Sequence, residues 1–214
     1  MAATPYRIET ERLLLRCWDP ADAPLLEDAV TSSLPELQEW MPWAQGEPMT
    51  LDARIELLRE FRSNFDTGGE SIYGILSADG STVLGGSGLH PHVGDDALEI
   101  GYWIRTSATG AGLAGEAAAA LTRAGFRLRG VDRLEIHVDP ANTRSARIPE
   151  RLGYTMEARL RRRLPPVVDG APRSDALVYT MFADEFDGSP AARTPFAESI
   201  DRRIPDPDCH GRRT

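Results

Sequence analysis

At 214 residues the chain is long enough for one domain with a complete core, and its 41% hydrophobic and 27% charged content is that of a globular protein. A formal charge of -9 argues against a general nucleic-acid binder, which needs a basic face to neutralise phosphate. No stretch is apolar and long enough to span a membrane, residues 1–7 show no secretory signal, and the scattered cysteines and histidines offer no metal-ligand spacing.

ERLLLRCW (11–18) reads as an opening strand, and Asp19-Pro20 as a helix start with Asp19 capping and Pro20 in the first turn. Residues 33–43 form a compact segment ending WMPW. Residues 50–66 carry the pattern of an amphipathic helix, with Ile55, Leu58 and Phe61 on one side. SIYGILS and TVLGGSGLH read as strands joined by a turn at Ala78-Asp79-Gly80. Gly94-Asp95-Asp96 turns the chain into ALEIGYWIR. An alanine-rich helix then follows Gly110, with Leu113, Ala117, Leu121, Ala124 and Leu128 on the stripe that should face a sheet. DRLEIHV is a strand, residues 145–152 a second helix ended by Gly153, and YTMEARLRRRL and SDALVYTMFA a closing hairpin turned at Asp169-Gly170. The order describes one mixed α/β domain over residues 1–186. From Asp187 onward proline, arginine and aspartate dominate without periodicity, so residues 187–214 are expected to be a disordered tail. Cys17 sits in an apolar run and Cys209 in the polar tail, which argues against a disulfide framework and fits a reducing cytoplasm.

Gly110, Ala111 and Gly112 open the long helix. Small residues there let a ligand approach the backbone, and the free N–H groups of a helix start suit phosphate oxygens. A pyrophosphate-bearing cofactor is the first ligand to consider. The letters also spell GxGxxG, the dinucleotide fingerprint, yet Arg105 to Thr109 separate strand from glycine, and Glu99 and Arg105 interrupt a strand that a parallel sheet would keep apolar. No lysine-serine or lysine-threonine pair follows, so a nucleotide phosphate loop does not fit. A glycine turn that merely packs a helix closely stands beside the phosphate reading.

A second constellation, NTRSARIPERLGY, follows the next strand. With TERLLLR, WMPW, EIGYWI, GAGLAGEA and VVDGAPRSDALVYTM, in that order, it resembles the GNAT acyl-CoA-dependent N-acetyltransferases, and within them the RimJ/RimL-like branch. The resemblance runs from about residue 10 to 182. It implies a mixed, mostly antiparallel sheet with helices on both faces, in which one central strand splays from its neighbour to admit pantetheine. The strand around Tyr102, Trp103 and Ile104 would offer backbone groups to that arm, and Gly110, Ala111, Gly112, Leu113 and Ala114 would wrap the pyrophosphate of acetyl-CoA. Ser107 replaces the Gln or Arg usual in the family three residues before the first glycine.

Acetyl transfer to an amine needs a base for the amine, a donor for the developing oxyanion and a proton for the leaving thiolate. The tyrosine that many relatives use for the last step falls at Pro149, so the resemblance assigns that proton to Ser145, while helix capping alone would also explain a serine there. Asn142 should bond backbone or cofactor amides, or serve only its turn. The glutamate of RimL-like proteins falls at Leu164; Glu99, on the same strand face as Gly101 and Trp103, takes its place as candidate base. His90 and His137 are further candidates, with a plain structural role as the alternative. Trp40, Met41 and Trp43 match a segment bordering the acceptor, where His90 joins them, although packing alone would account for the aromatics. Arg159, Arg161, Arg162 and Arg163 read as a solvated strand face that could also attract an acidic acceptor. The expectation is a cytoplasmic acetyl-CoA-dependent N-acetyltransferase acting on a protein N-terminus or a small amine by direct attack, with no membrane partner and a homodimer as the assembly to test. A non-catalytic acyl-CoA-binding module is the alternative, because the usual tyrosine and glutamate are missing.

Overall fold

The computed structural model describes residues 4–197. Two short strands, β1 (Arg7–Thr10) and β2 (Leu13–Cys17), open the chain. A single helical turn then leads into α1 (Ala23–Thr31); Asp19 accepts from the Ala21 N–H, and the Asp22 side chain returns to the Asp19 N–H, a reciprocal cap that holds Pro20 in the first turn. Next come α2 (Leu34–Trp40), a tight turn over Pro42–Gly46, and α3 (Leu51–Asp66), whose Thr50 side chain accepts from the Ala53 N–H. A meander follows: β3 (Ser71–Ser77), β4 (Val83–His90) and β5 (Ala97–Ile104). Then α4 (Leu113–Ala124), β6 (Arg133–Val138), α5 (Thr143–Leu152), β7 (Thr155–Leu164), β8 (Ser174–Phe182) and the two-residue β9 (Phe196–Ala197) complete the described chain. α5 begins two residues earlier than the pattern suggested, because Asn142 rather than a later residue caps it.

The strands form one sheet in the order β7-β8-β6-β5-β4-β3-β2-β1-β9. Among the described residues, β5 and β6 are the parallel neighbours and the other pairs are antiparallel, as a meander and a hairpin require. Helices cover both faces. One core joins α4 and α5 to Leu13, Leu15, Ile75, Ile100, Leu134 and Ile136; the other places α1, α2 and α3 on Leu14, Trp18 and Leu76. Alternate β2 residues therefore feed opposite cores, the period-two consequence of a sheet covered twice. In α4 the run Ala117–Ala120 is buried with Leu121, so small side chains bring this helix close to the strands. Leu15, Ile75 and Leu121 are fully buried, and truncating any one to alanine should cost about 2–5 kcal/mol.

The expected tail boundary at Asp187 falls inside packed structure. Phe186 packs against Phe126 with ring centroids 5.5 Å apart and the rings tilted by 45°, and Arg127 pairs with Asp187. Ala191 is fully buried, and Arg123 donates to the Ala192 carbonyl at 2.9 Å. Composition missed this because a few small residues, rather than an apolar stripe, make the contact. The remainder of the expected tail, with Cys209, lies outside the described residues. Cys17 is free and buried, and burial pushes its thiol up to about 12. No helix among the described residues is long and apolar enough to cross a membrane.

Candidate active site

β5 and β6 part company early. They pair at Ala97↔Arg133, Leu98↔Leu134 and Glu99↔Glu135, and no further. Beyond that point β5 stays on β4 through Gly85↔Ile104, while β6 stays on β8 through Val138↔Leu177. The β6-side edge of residues 100–104 therefore has backbone groups without a strand partner, which calls for another hydrogen-bonding partner.

A cavity of about 670 Å³ opens at this divergence. Its floor is β4 and β5. Side chains crowd the glycines here: a Cβ at Gly86 would lie 2.6 Å from the Trp103 indole nitrogen, and one at Gly88 2.6 Å from His90 Nε2, so either ring would have to shift. Trp103 in turn meets Trp43 with ring centroids 5.9 Å apart. Trp40, Met41 and Trp43 form one wall; Leu164 at the end of β7, with Pro165 and Val167 from the β7–β8 connection, forms another. The first wall is anchored by a buried ion pair, Arg54 to Glu47 at 2.7 Å with both side chains 2% exposed, and Glu47 also accepts from the Met49 N–H. Removing one member would leave the other charge buried and alone, so the pair fixes this segment on α3.

Ser145 lies in the first turn of α5 and lines the cavity. It does not cap the helix. Asn142 does, its Oδ1 accepting from the Ser145 N–H at 3.0 Å, so the structure gives Asn142 the capping role and leaves the serine hydroxyl for other contacts. That hydroxyl is 3.2 Å from the Tyr102 hydroxyl, which also donates to the Ser145 carbonyl at 3.3 Å. Burial pushes the Tyr102 phenol up to about 12, against the lowering effect of its Ser145 hydrogen bond, so it remains a neutral donor. Pro149, inside α5, is buried and offers no proton.

Glu99 lies across the strand pair from His90 and lines the same cavity. Its Oε2 is 2.9 Å from His92 Nε2 and 3.3 Å from His137 Nδ1. His137 Nε2 continues to Glu135 at 2.6 Å, and Glu135 to Arg133 at 2.8 Å. His90 itself turns to Glu70 at 3.1 Å. The two candidate histidines are thus both held by carboxylates, and the polar row runs across β4, β5 and β6.

The glycine turn is a separate feature. Gly110 and Gly112 have φ of 82° and 80°, the left-handed conformation that side chains resist, and no side chain caps the start of α4. Gly110 and Ala111 are exposed, and Leu113 and Ala114 are partly so. Arg12 braces the turn: it donates to the Ala111 carbonyl at 2.8 Å and pairs with Glu116 at 2.6 Å. Glu116, buried in the first turn of an alanine-rich helix, is thereby satisfied, with Thr10 as a further donor. Gly112 borders a shallow recess with Arg12, Gly115 and Glu116. These residues present an uncapped helix start and a bare backbone, features that suit an anionic group such as pyrophosphate.

The large cavity therefore collects Trp40, Trp43, His90, Glu99, Trp103, Asn142 and Ser145. Gly110 to Ala114 do not line it, and Ile104 packs into the α4-side core. Sequence reasoning overlooked the side chains of Tyr102, His92, Glu70 and Glu135. His92 follows His90 by two residues, a spacing that hinted at a shared location; the Tyr102–Ser145 contact joins residues 43 apart and left no local signal. The arginine run is mostly exposed on β7, where Arg159 pairs with Asp175 at 2.9 Å.

The profile of the Acetyltransferase (GNAT) domain matches residues 12–155. A ribosomal protein uS5-alanine N-acetyltransferase from Escherichia coli is 27% identical over 176 residues, covering 80% of this chain and 88% of that protein. The structure of Mycobacterium smegmatis RimJ in complex with CoA-disulfide is similar at TM-score 0.72 and 26% identity, over 90% of this chain and 92% of the other. That of RimL, a ribosomal L7/L12 alpha-N-protein acetyltransferase in complex with coenzyme A, shares the fold at TM-score 0.73 and 21% identity, over 83% of this chain and 98% of the other.

Proposed function

The chain belongs to the GNAT acetyltransferases, in their RimJ/RimL-like branch, and from that premise we propose that it moves the acetyl group of acetyl-CoA onto the free amino terminus of a protein. The observation that carries this reading is the divergence of β5 from β6 after Glu99↔Glu135, with Ser145 and Glu99 on the cavity it opens. Bound there, acetyl-CoA supplies an activated thioester carbonyl. Gly110, Ala111, Gly112, Leu113 and Ala114 hold its pyrophosphate with the N–H groups of the α4 start. The unpaired edge at Trp103 and Ile104 takes the pantetheine arm as an added strand would be taken.

Glu99 accepts the proton of the attacking amine, directly or through one water, and Ser145 donates to the departing sulfur. Asn142 holds the α5 start that positions the serine. Trp40, Trp43 and His90 border the acceptor, and their aromatic surface receives a peptide end. The relative that acts on an N-terminal alanine supports this acceptor over a small amine. The free, buried Cys17 fits a reducing cytoplasm.

Thiol release from acetyl-CoA, measured with free and N-blocked peptides and with polyamines, tests the reading. Release with free peptides alone supports it, and release with polyamines alone would overturn the acceptor. Ser145→Ala should lower turnover about 100-fold with acetyl-CoA affinity little changed. Glu99→Gln should slow the reaction near neutral pH and recover as rising pH deprotonates the amine unaided. Equal loss at every pH would leave Glu99 a strand-holding residue.

A further inference from the structure

The attacking amine gives up a proton to its base, and the proposed base is nearly buried: the Glu99 side chain is 18% exposed. A carboxylate that takes a proton in such a place must pass it on before the next turnover. From the side-chain arrangement around it, we infer that His92 is the residue through which that proton reaches solvent. The inference rests on the reading of Glu99 as base.

Glu99 lines the cavity, whereas His92 lies outside its lining and is 58% exposed. The 2.9 Å contact from Glu99 Oε2 to His92 Nε2 therefore crosses the cavity wall from substrate side to water. The other branch leads inward. His137 is 13% exposed and Glu135 12% exposed, and Arg133 pairs with Glu135, so this branch runs along β6 and ends in an ion pair on that strand. It orients Glu99 and offers no exit. On the outer side His92 faces the His90 ring at 5.6 Å, and His90 is tied to Glu70, whose carboxylate lies within 4.8 Å of both imidazoles. Thus Glu70, His90, Glu99 and, across Glu99, His137 are the titratable groups around His92.

The balance is simple. As the amine nitrogen bonds to the acetyl carbon and the carbon–sulfur bond breaks, the nitrogen proton passes to Glu99. Glu99 passes it to His92 Nε2, the imidazolium loses a proton from Nδ1 to water, and proton exchange with solvent returns the ring to its Nδ1–H tautomer before the next turnover. Ser145 gives its proton to sulfur and regains one from solvent. An imidazole is suited to this because it accepts on one nitrogen and donates from the other near neutral pH. His92 is a positioning and relay residue acting through Glu99; it does not touch the reacting atoms.

The test compares the wild-type enzyme with His92→Ala, His92→Gln and Glu99→Gln. Each is assayed by thiol release from acetyl-CoA with a peptide bearing a free N-terminal alanine, in weakly buffering medium near pH 7. His92→Gln keeps an N–H for Glu99 but moves no proton. Both His92 variants should lose about 10-fold or more in kcat, with KM for acetyl-CoA unchanged. Added imidazole should restore His92→Ala in proportion to its concentration and leave Glu99→Gln slow. Wild-type turnover in His92→Gln, or a loss in His92→Ala that imidazole does not restore, would overturn the relay while the base reading survives. Full turnover in Glu99→Gln would overturn the base reading and the relay together.

Discussion

Pro149 stands four residues after Ser145 on α5 and has no N–H to give the Ser145 carbonyl. The Tyr102 hydroxyl takes that place from β5, donating to the carbonyl at 3.3 Å while lying 3.2 Å from Ser145 Oγ. The residue that removes the usual tyrosine from the helix thus also creates the acceptor that draws another tyrosine in from the sheet. Tyr102→Phe should leave the carbonyl without a donor and the serine hydroxyl without its neighbour. We expect kcat to fall about tenfold, or about 1.4 kcal/mol in the barrier, with KM for acetyl-CoA little changed. Steady-state kinetics on the folded variant check this; unaltered kcat would mean that Tyr102 only supports the helix.

Gly112→Val should weaken acetyl-CoA binding. Its φ of 80° resists a branched side chain, and the nearest group to an added Cβ is an Arg12 guanidinium nitrogen at 3.8 Å, so the new bulk projects beside the open start of α4. Strain of about 1–2 kcal/mol accompanies the change. Calorimetric titration with acetyl-CoA, on protein whose circular dichroism matches wild type, separates lost binding from lost fold.

Alkaline pH should unfold the protein through its buried phenols. Burial raises Tyr102 to about 12, and it raises Tyr154, which shares a hydrogen bond with Thr122 at 2.7 Å, higher still. In the unfolded chain a phenol titrates near 10. The folded state therefore holds these protons more tightly. Their contribution is complete below about pH 10 and is lost as pH rises toward 12 and beyond. Urea midpoints at stepwise pH should decline over that window, and Tyr154→Phe should flatten the decline.

A chain ending at Phe186 should be less stable than the full chain. It loses the buried Ala191, the Arg123 bond to the Ala192 carbonyl and the close contact of Pro190 with Gly153, where an added Cβ would meet Pro190 Cδ at 2.6 Å. Thermal unfolding reads the effect directly. A chain ending at Ala197 keeps these contacts and serves as the control.

Strands and helices were legible wherever periodicity was strong, as in residues 50–66 and the β3–β5 meander. The Asp19 cap was legible too, because it acts on its immediate neighbours. The cavity residues were found by motif, yet their alliances were not. Ser145 was weighed as a cap, and Asn142 proved to hold that position; which of two nearby polar side chains reaches the free N–H depends on backbone angles that residue type leaves open. His92 joins Glu99 from the β4–β5 connection and Glu135 joins it through His137 of β6, and such a row exists only once the β4-β5-β6 register is set. The packed turns after Phe186 were invisible because alanine and proline, in a polar segment, carry no period.

The short ladder between β5 and β6 has a mechanical side. Three residue pairs join the β7-β8-β6 block to the rest of the sheet, so along that seam cohesion passes to α4, on the β5 side, and α5, on the β6 side, which pack against each other. A cofactor arm laid along residues 100–104 would act as a splint as well as a reactant. Its arrival should slow amide hydrogen exchange on both sides of the seam and raise the melting temperature in step with occupancy, the added stability being about 2.7 kcal/mol at a hundredfold excess over Kd. Resistance to heat in this enzyme would then report how well its cofactor pool is filled.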